Sequence, residues 1–357
     1  MLLTIVLFGL FASIFGLSKE TLNHCEPFFL IGSRMAFAGL LLLAHQCLSH
    51  WFALRFAQQS APHPEHQADA SMPLSLGKTP TTRWSLSHLF YLFLLAFLMI
   101  YLCNVSEIWG LQHMASAKAC LIYSLSPFLS AAMAFIILKE RLGPKKWLGL
   151  CVGFMGLIPI FVAQAPNELN LDAIMGLSLA ELSLLMAVFA SVCGWILLKK
   201  VIQDYQDTPL MANGISMTLG GAMALLHSYY SGESWDPLPI MHMLPFLKNT
   251  LIMCVVSNIV CYNLYGYLLK RYSATFMSLA GLVTPFFAAF FGWYFLNETI
   301  TWHYFASIGI FGLGLFLFYQ EELQQEKLQQ KGSDNQRAAA NALHNPIEQS
   351  QTQAQAI

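Results

Sequence analysis

Four charged side chains stand inside long apolar runs of this chain: Arg34, Glu107, Lys118 and Glu181. A charge at the middle of a bilayer costs about 2.5 to 3.5 kcal/mol on insertion scales, so each needs a compensating partner or a task. Two cations and two anions form a set of little net charge, suited to a zwitterion or another polar organic solute carrying both signs. A carboxylate in such a place could also take up a proton and couple solute movement to a proton gradient. The structural alternatives are equally physical: each side chain snorkels to the headgroups, or Arg34 and Glu107 form an ion pair. Glu107 and Arg34 lead the set because they lie deepest in their runs.

A second polar face lies further along. Asn258, Tyr262 and Tyr265 recur at four- and three-residue spacing, which puts them on one side of a regular helix, with Ser257 and Asn263 beside them. Hydrogen-bonding groups among aromatic bodies suit a cavity wall, and equally suit bonding between packed helices. Trp109 and Trp195 fit a pocket wall or an interfacial aromatic belt. Pro127 and Pro285 fall within apolar runs, where the missing N–H frees the carbonyls of Tyr123 and Gly281; a hinge or a fixed bend is expected at each. Glu140 and Glu298 come at the ends of those runs and are expected to hold the turns between consecutive helices.

The elements that must position these residues follow from composition. The chain of 357 residues is 56% hydrophobic and only 10% charged, with a mean hydropathy of +0.55. Soluble domains carry about 25% charged residues, so the sequence is that of an integral membrane protein, with the lipid bilayer as its surroundings. A net charge of −1 gives no basic face for nucleic acid. Apolar runs of about 20 residues, the length needed to span, occur near 2–18, 27–47, 87–111, 115–138, 146–164, 175–198, 209–229, 245–268, 274–296 and 301–319.

Those runs fall into two sets. Ser116–Ile158 returns in altered form at Ser273–Leu315, with Pro127 aligned on Pro285, Ala131 on Ala289, Leu138 on Leu296 and Glu140 on Glu298. Phe11-Ala12-Ser13-Ile14-Phe15-Gly16 is echoed by Phe189-Ala190-Ser191-Val192-Cys193-Gly194, and Pro27, Gly32, Met35 and Gly39 recur as Pro209, Gly214, Met217 and Gly221. Five spans per set is an odd number, which turns the second half over relative to the first. The expected fold is all-α, ten transmembrane helices in two inverted five-helix repeats, residues 1–165 and 174–320. Gly32, Gly39, Gly153, Gly156, Gly214, Gly221, Gly312 and Gly314 are expected to allow close helix contact.

Lys and Arg set the orientation. With the N-terminus inside, the inner connections hold Arg55, Lys78, Arg83, Lys139, Arg141, Lys145, Lys146, Lys199, Lys200, Lys270, Arg271, Lys327, Lys331 and Arg337. The outer ends keep Lys19, Lys118 and Lys248, so both termini are expected in the cytoplasm. The polar insertion 56–84 is expected to be a cytoplasmic loop and 321–357 a disordered cytoplasmic tail. His63 and His66 flank Pro64 in that loop, without a helix to align two imidazoles, so no metal is expected. The cysteines are scattered singly, without C-x-x-C pairs, and read as reduced thiols.

The chain resembles the EamA branch of the drug/metabolite transporter superfamily. The resemblance rests on the two sets of five spans, the Phe11 to Lys19 segment, Pro27 with Arg34, Ser116-Ala117, Pro127 and Lys139-Glu140-Arg141, and on Ser273-Ala274-Thr275, Pro285 and Asn297-Glu298 in the second half. It covers about residues 1–320. It implies a bacterial inner-membrane permease with ten helices around a central cavity, opened alternately to either side, for amino acids, nucleosides and other metabolites. Some similar members import S-adenosylmethionine. The long loop between the second and third spans, Glu107 and Lys118 depart from typical members. A small-molecule substrate, moved by exchange or with protons, is therefore expected, with no cofactor, no metal and no catalytic residue; a homodimer is left open. The alternatives are a lipid-carrier flippase or its subunit, and a membrane-embedded enzyme, although no His-Glu-x-x-His, paired-aspartate or nucleophile-elbow motif occurs.

Overall fold

The computed structural model describes residues 2–59, 85–113, 122–140, 142–159, 178–287, 290 and 302–344. Ten helices form among them: α1 (Leu2–Thr21), α2 (Pro27–Gln59), α3 (Leu86–Gln112), α4 (Ser126–Leu138), α5 (Pro144–Met155), α6 (Leu179–Asp204), α7 (Pro209–Tyr230), α8 (Met243–Leu268), α9 (Ala274–Gly281) and α10 (Trp302–His344). No strand forms among the described residues beyond the isolated bridge Cys25–Ile240. Their starts follow from local chemistry. Pro stands in the first turn of α4, α5 and α7, where its missing N–H costs nothing. Ser85, Ser178, Thr208 and Ser273 accept from first-turn amides as N-caps of α3, α6, α7 and α9.

Apolar side chains cover the outside of this bundle as well as its core: Ile136 is 66% exposed and Phe305 67%. A helix apolar on every side belongs in lipid, and the chain is a multi-pass membrane protein. Among the described residues, five stretches, Pro27–Ser49, Leu86–Gln112, Leu179–Asp204, Pro209–Tyr230 and Met243–Leu268, are long and apolar enough to cross a membrane. Shorter apolar helices occupy Leu2–Ile14, Ser126–Leu138 and Ala274–Phe287.

The packing has a pattern. α2 lies along α7, α4 against α9 and α5 against α10, while α3 packs on α6 and α1 on α8. At the α2–α7 crossing a Cβ on Gly39 would stand 2.5 Å from Thr218 N, and one on Gly221 would stand 2.4 Å from Ala36 N. Only glycine lets these backbones touch. Gly314 fits against Gly149 and Gly153 in the same way between α10 and α5, whereas Gly312 faces open space, against expectation.

Two helices carry a wide turn at their middles. Ala96–Leu102 in α3 and Cys254–Cys261 in α8 are π-helical. Two residues beyond each stands an asparagine that takes up the displaced carbonyls: Asn104 Nδ2 donates to Met99 O and Ile100 O at 3.3 and 2.8 Å, and Asn263 Nδ2 to Ile259 O at 2.7 Å.

The tail departs from expectation. α10 does not stop near 319 but runs 43 residues to His344, about 64 Å at 1.5 Å per residue against a hydrocarbon core of about 30 Å. Residues 321–344 are therefore helical, because a sequence rich in Ala, Gln, Glu and Lys has high helix propensity even without a core to join. α2 likewise continues to Gln59, past the start expected for the polar loop. His63 and His66 lie outside the described residues.

Candidate functional site

A cavity of about 320 Å³ opens in the middle of the bundle, in the range of ligand pockets. α1 contributes Phe8 and Ala12, α3 Glu107, α6 Ser191 and Trp195, α8 Tyr265, and α9 Met277 and Ser278. The stretches around the two prolines complete the wall with Tyr123, Ser124, Ser126, Gly281, Leu282, Thr284 and Pro285.

The proline stretches are built alike. Helix is interrupted at Ser124-Leu125 and again at Leu282-Val283, each time two residues before the proline, and restarts at Ser126 and Thr284. Leu125 N bonds Ile122 O and Phe128 N bonds Leu125 O; Val283 N bonds Ala280 O and Phe286 N bonds Val283 O. The expectation of a kink inside a continuous helix is thereby corrected: Pro127 and Pro285 stand in the first turn of a new helix, after a break. A helix start leaves amides without intrahelical partners, so proline fits there and a mid-helix proline would not. The carbonyl of Gly281, expected to be freed, accepts from Thr284 Oγ1 at 2.7 Å.

Glu107 lies on the cavity wall and has no ion-pair partner within 4 Å among the described residues. Tyr123 interacts with its carboxylate without closing a well-formed hydrogen bond, and Tyr123 Oη is otherwise unpartnered. Arg34 lies outside the lining, within electrostatic reach of Glu107 and Tyr262. Its Nη1 is 3.5 Å from Met253 Sδ and its Nε is buried without a hydrogen-bond partner. The two charges are thus within electrostatic reach of one another without forming an ion pair.

Tyr265 is 4% exposed and stacks on Trp195 with ring centroids 3.7 Å apart; Trp195 also meets Tyr262 at 5.2 Å. Phe8 and Phe11 approach Tyr265 and Tyr262 edge-on. Trp195 belongs to the wall, while Trp109 packs on His113 outside the lining. Asn258 departs from the expected face: it is fully buried, its Nδ2 3.0 Å from Met35 Sδ. The π-helical turn is the reason, since residues in it advance less around the axis per step, and the α-helical register between 258 and 265 is lost.

Glu181 is placed away from the cavity lining. Its carboxylate accepts from Ser178 N at 2.6 Å while Ser178 Oγ accepts from Glu181 N at 3.3 Å, a capping box that starts α6. Ser178-x-x-Glu181 was the readable signal for that role. Glu140 pairs with Lys199 at 2.7 Å, and Lys199 Nζ also donates to Tyr272 O at 3.3 Å. Beside them Glu322 accepts from Lys146 Nζ with one oxygen and from Ser273 N with the other, both at 2.5 Å. The turn between α8 and α9 is so clamped from two sides. Lys118 and Glu298 lie outside the described residues. Sequence reasoning did not select Tyr123, Ser191, Ser278 or Thr284 for the wall, although Ser191 belongs to the repeated Phe-Ala-Ser segment and Thr284 precedes the repeated proline.

A model of the EamA-like transporter family matches residues 70–162 and again 178–320. The S-adenosylmethionine/S-adenosylhomocysteine transporter of Chlamydia muridarum is 33% identical over 317 residues, covering 88% of this chain and 90% of its own length. That of Chlamydia trachomatis serovar L2 is 33% identical over 320 residues, covering 88% of each. A crystal structure at 12% identity superposes with a TM-score of 0.64 over 91% of this chain and 96% of that one, a likeness of fold. On the double family match and on identity of one third along nearly the whole length, the chain belongs to the EamA-like transporter family.

Proposed function

We propose that this protein is a secondary transporter that exchanges S-adenosylmethionine, or a solute of the same charged, nucleoside-containing class, for its demethylated counterpart across a bacterial inner membrane. The observation that carries the reading is the cavity, where a carboxylate with no ion pair among the described residues, stacked aromatic rings and several hydroxyls meet in an otherwise apolar wall. Such a wall can take a purine, a sugar and a positive charge together. The names of the Chlamydia relatives supply the solute class.

Alternating access is supported by the way the halves meet. Residues 1–165 and 174–320 act as two inverted bundles, with the like-numbered pairs α2–α7, α4–α9 and α5–α10 across their junction and matched breaks at Pro127 and Pro285 on the cavity. The ion-paired end, with Lys146, Lys199 and Lys200, faces the cytoplasm together with both termini, in keeping with its lysines. Transport, in place of chemical conversion, accords with the naming of these relatives.

The test is uptake by the purified chain in liposomes. Vesicles loaded with S-adenosylhomocysteine are expected to accumulate labelled S-adenosylmethionine saturably, and empty vesicles to accumulate little. Folded protein that moves neither compound, nor any member of a broad metabolite panel, overturns the reading.

A further inference from the structure

Within that reading, we infer that Glu107 and Trp195 form a subsite for a methylated onium group, so that the cavity distinguishes a sulfonium from the neutral thioether left when its methyl is lost. The inference deepens the proposed function and rests on it for the substrate class.

A trialkyl sulfonium has a positive charge and no N–H or O–H, so hydrogen bonds cannot recognise it. It can be held by a negative charge and by aromatic faces, as methylated ammonium ions are. The cavity offers both. Glu107 supplies the carboxylate, with no cation within ion-pair distance among the described residues to satisfy it. Trp195 supplies the best of the aromatic faces, held against Tyr265 at 3.7 Å and flanked by Tyr262 at 5.2 Å. Phe8, Val188, Val192 and Met277 make the surrounding wall apolar, and a poorly solvated setting strengthens an attraction between opposite charges.

Among the described residues, Arg34 is the cation that could oppose this assignment. It lies behind the wall, with Nη1 on Met253 Sδ, and does not neutralise Glu107 by contact. Tyr123 faces the same carboxylate with an unpartnered hydroxyl and would orient it. The neutral thioether product meets the same rings and hydroxyls but gains nothing from the carboxylate. Retention of the charged compound and easier release of the neutral one follow from that single difference.

Binding of S-adenosylmethionine and S-adenosylhomocysteine to the purified full-length protein tests this, because the two differ at the sulfur alone. In Glu107→Gln the dissociation constant for the sulfonium is expected to rise about 10-fold or more, equivalent to about 1.4 kcal/mol. That for the thioether should stay within about 3-fold. Trp195→Leu should weaken the sulfonium by a further preference of about 3-fold over the thioether. Glu107→Asp, which keeps the charge, should retain most of the discrimination, and thermal unfolding of each variant checks that it is folded.

Equal losses for both compounds in Glu107→Gln, or an unchanged constant for the sulfonium, overturn the inference while the transport reading stands. A folded wild type that binds neither compound removes the substrate class and the inference with it.

Discussion

Buried charges are treated in opposite ways at two places in this protein. Beside the turn between α8 and α9 the buried lysines have counter-charges, Lys146 with Glu322 at 2.5 Å and Lys199 with Glu140 at 2.7 Å, and where α3 starts His88 bonds Asp207 at 2.8 Å. At the cavity wall, Glu107 has Arg34 within electrostatic reach but forms no ion pair with it. Leaving a buried charge without a partner is unfavourable, and this contrast is what singles out Glu107 for the role proposed above.

The largest expected effect comes from breaking the first arrangement. Glu322→Ala takes the carboxylate from Lys146 and the acceptor from Ser273 N–H, and should destabilise the detergent-solubilised protein by up to about 3 to 5 kcal/mol, read as a marked drop in unfolding temperature. The double change Lys146→Met with Glu322→Leu should recover most of that loss. The second arrangement should respond with opposite sign. Arg34→Met is expected to raise the stability of the ligand-free protein by about 0.5 to 2 kcal/mol while uptake fails, the exchange of function for stability usual at strained sites.

The smallest effect concerns pH. Burial holds the Asp207 carboxyl above its ordinary range, with the bond and charge of His88 pulling it back. The folded chain then keeps that proton more tightly than the unfolded chain does. This contribution is full below about pH 4, where both states are protonated, and is lost as pH rises through the elevated value. Asp207→Asn should abolish that decline, seen as a flatter unfolding temperature between mildly acidic and neutral pH.

Much of this was readable in the sequence because lipid imposes simple demands. Apolar runs of spanning length, interrupted by polar turns, gave the helices. Glu107 and Tyr265 were visible as polar groups among apolar neighbours, and both line the cavity. The π-helical turns had no signal, since residue types do not mark an i to i+5 turn, and Asn258 was misplaced for that reason. Glu181 shows a second signal that went unread. Its charge drew a functional reading, while Ser178 three residues earlier already spelled a capping box. At the tail, low hydrophobicity suggested disorder although the same residues favour helix, and composition alone does not choose between the two.

The carboxylate of Glu322 carries one more consequence. One oxygen grips the lysine of α5 and the other the first amide of the α9 cap, so neither grip can slacken without loosening the other. Loss of that one carboxylate therefore unpins the start of α5 and the start of α9 together.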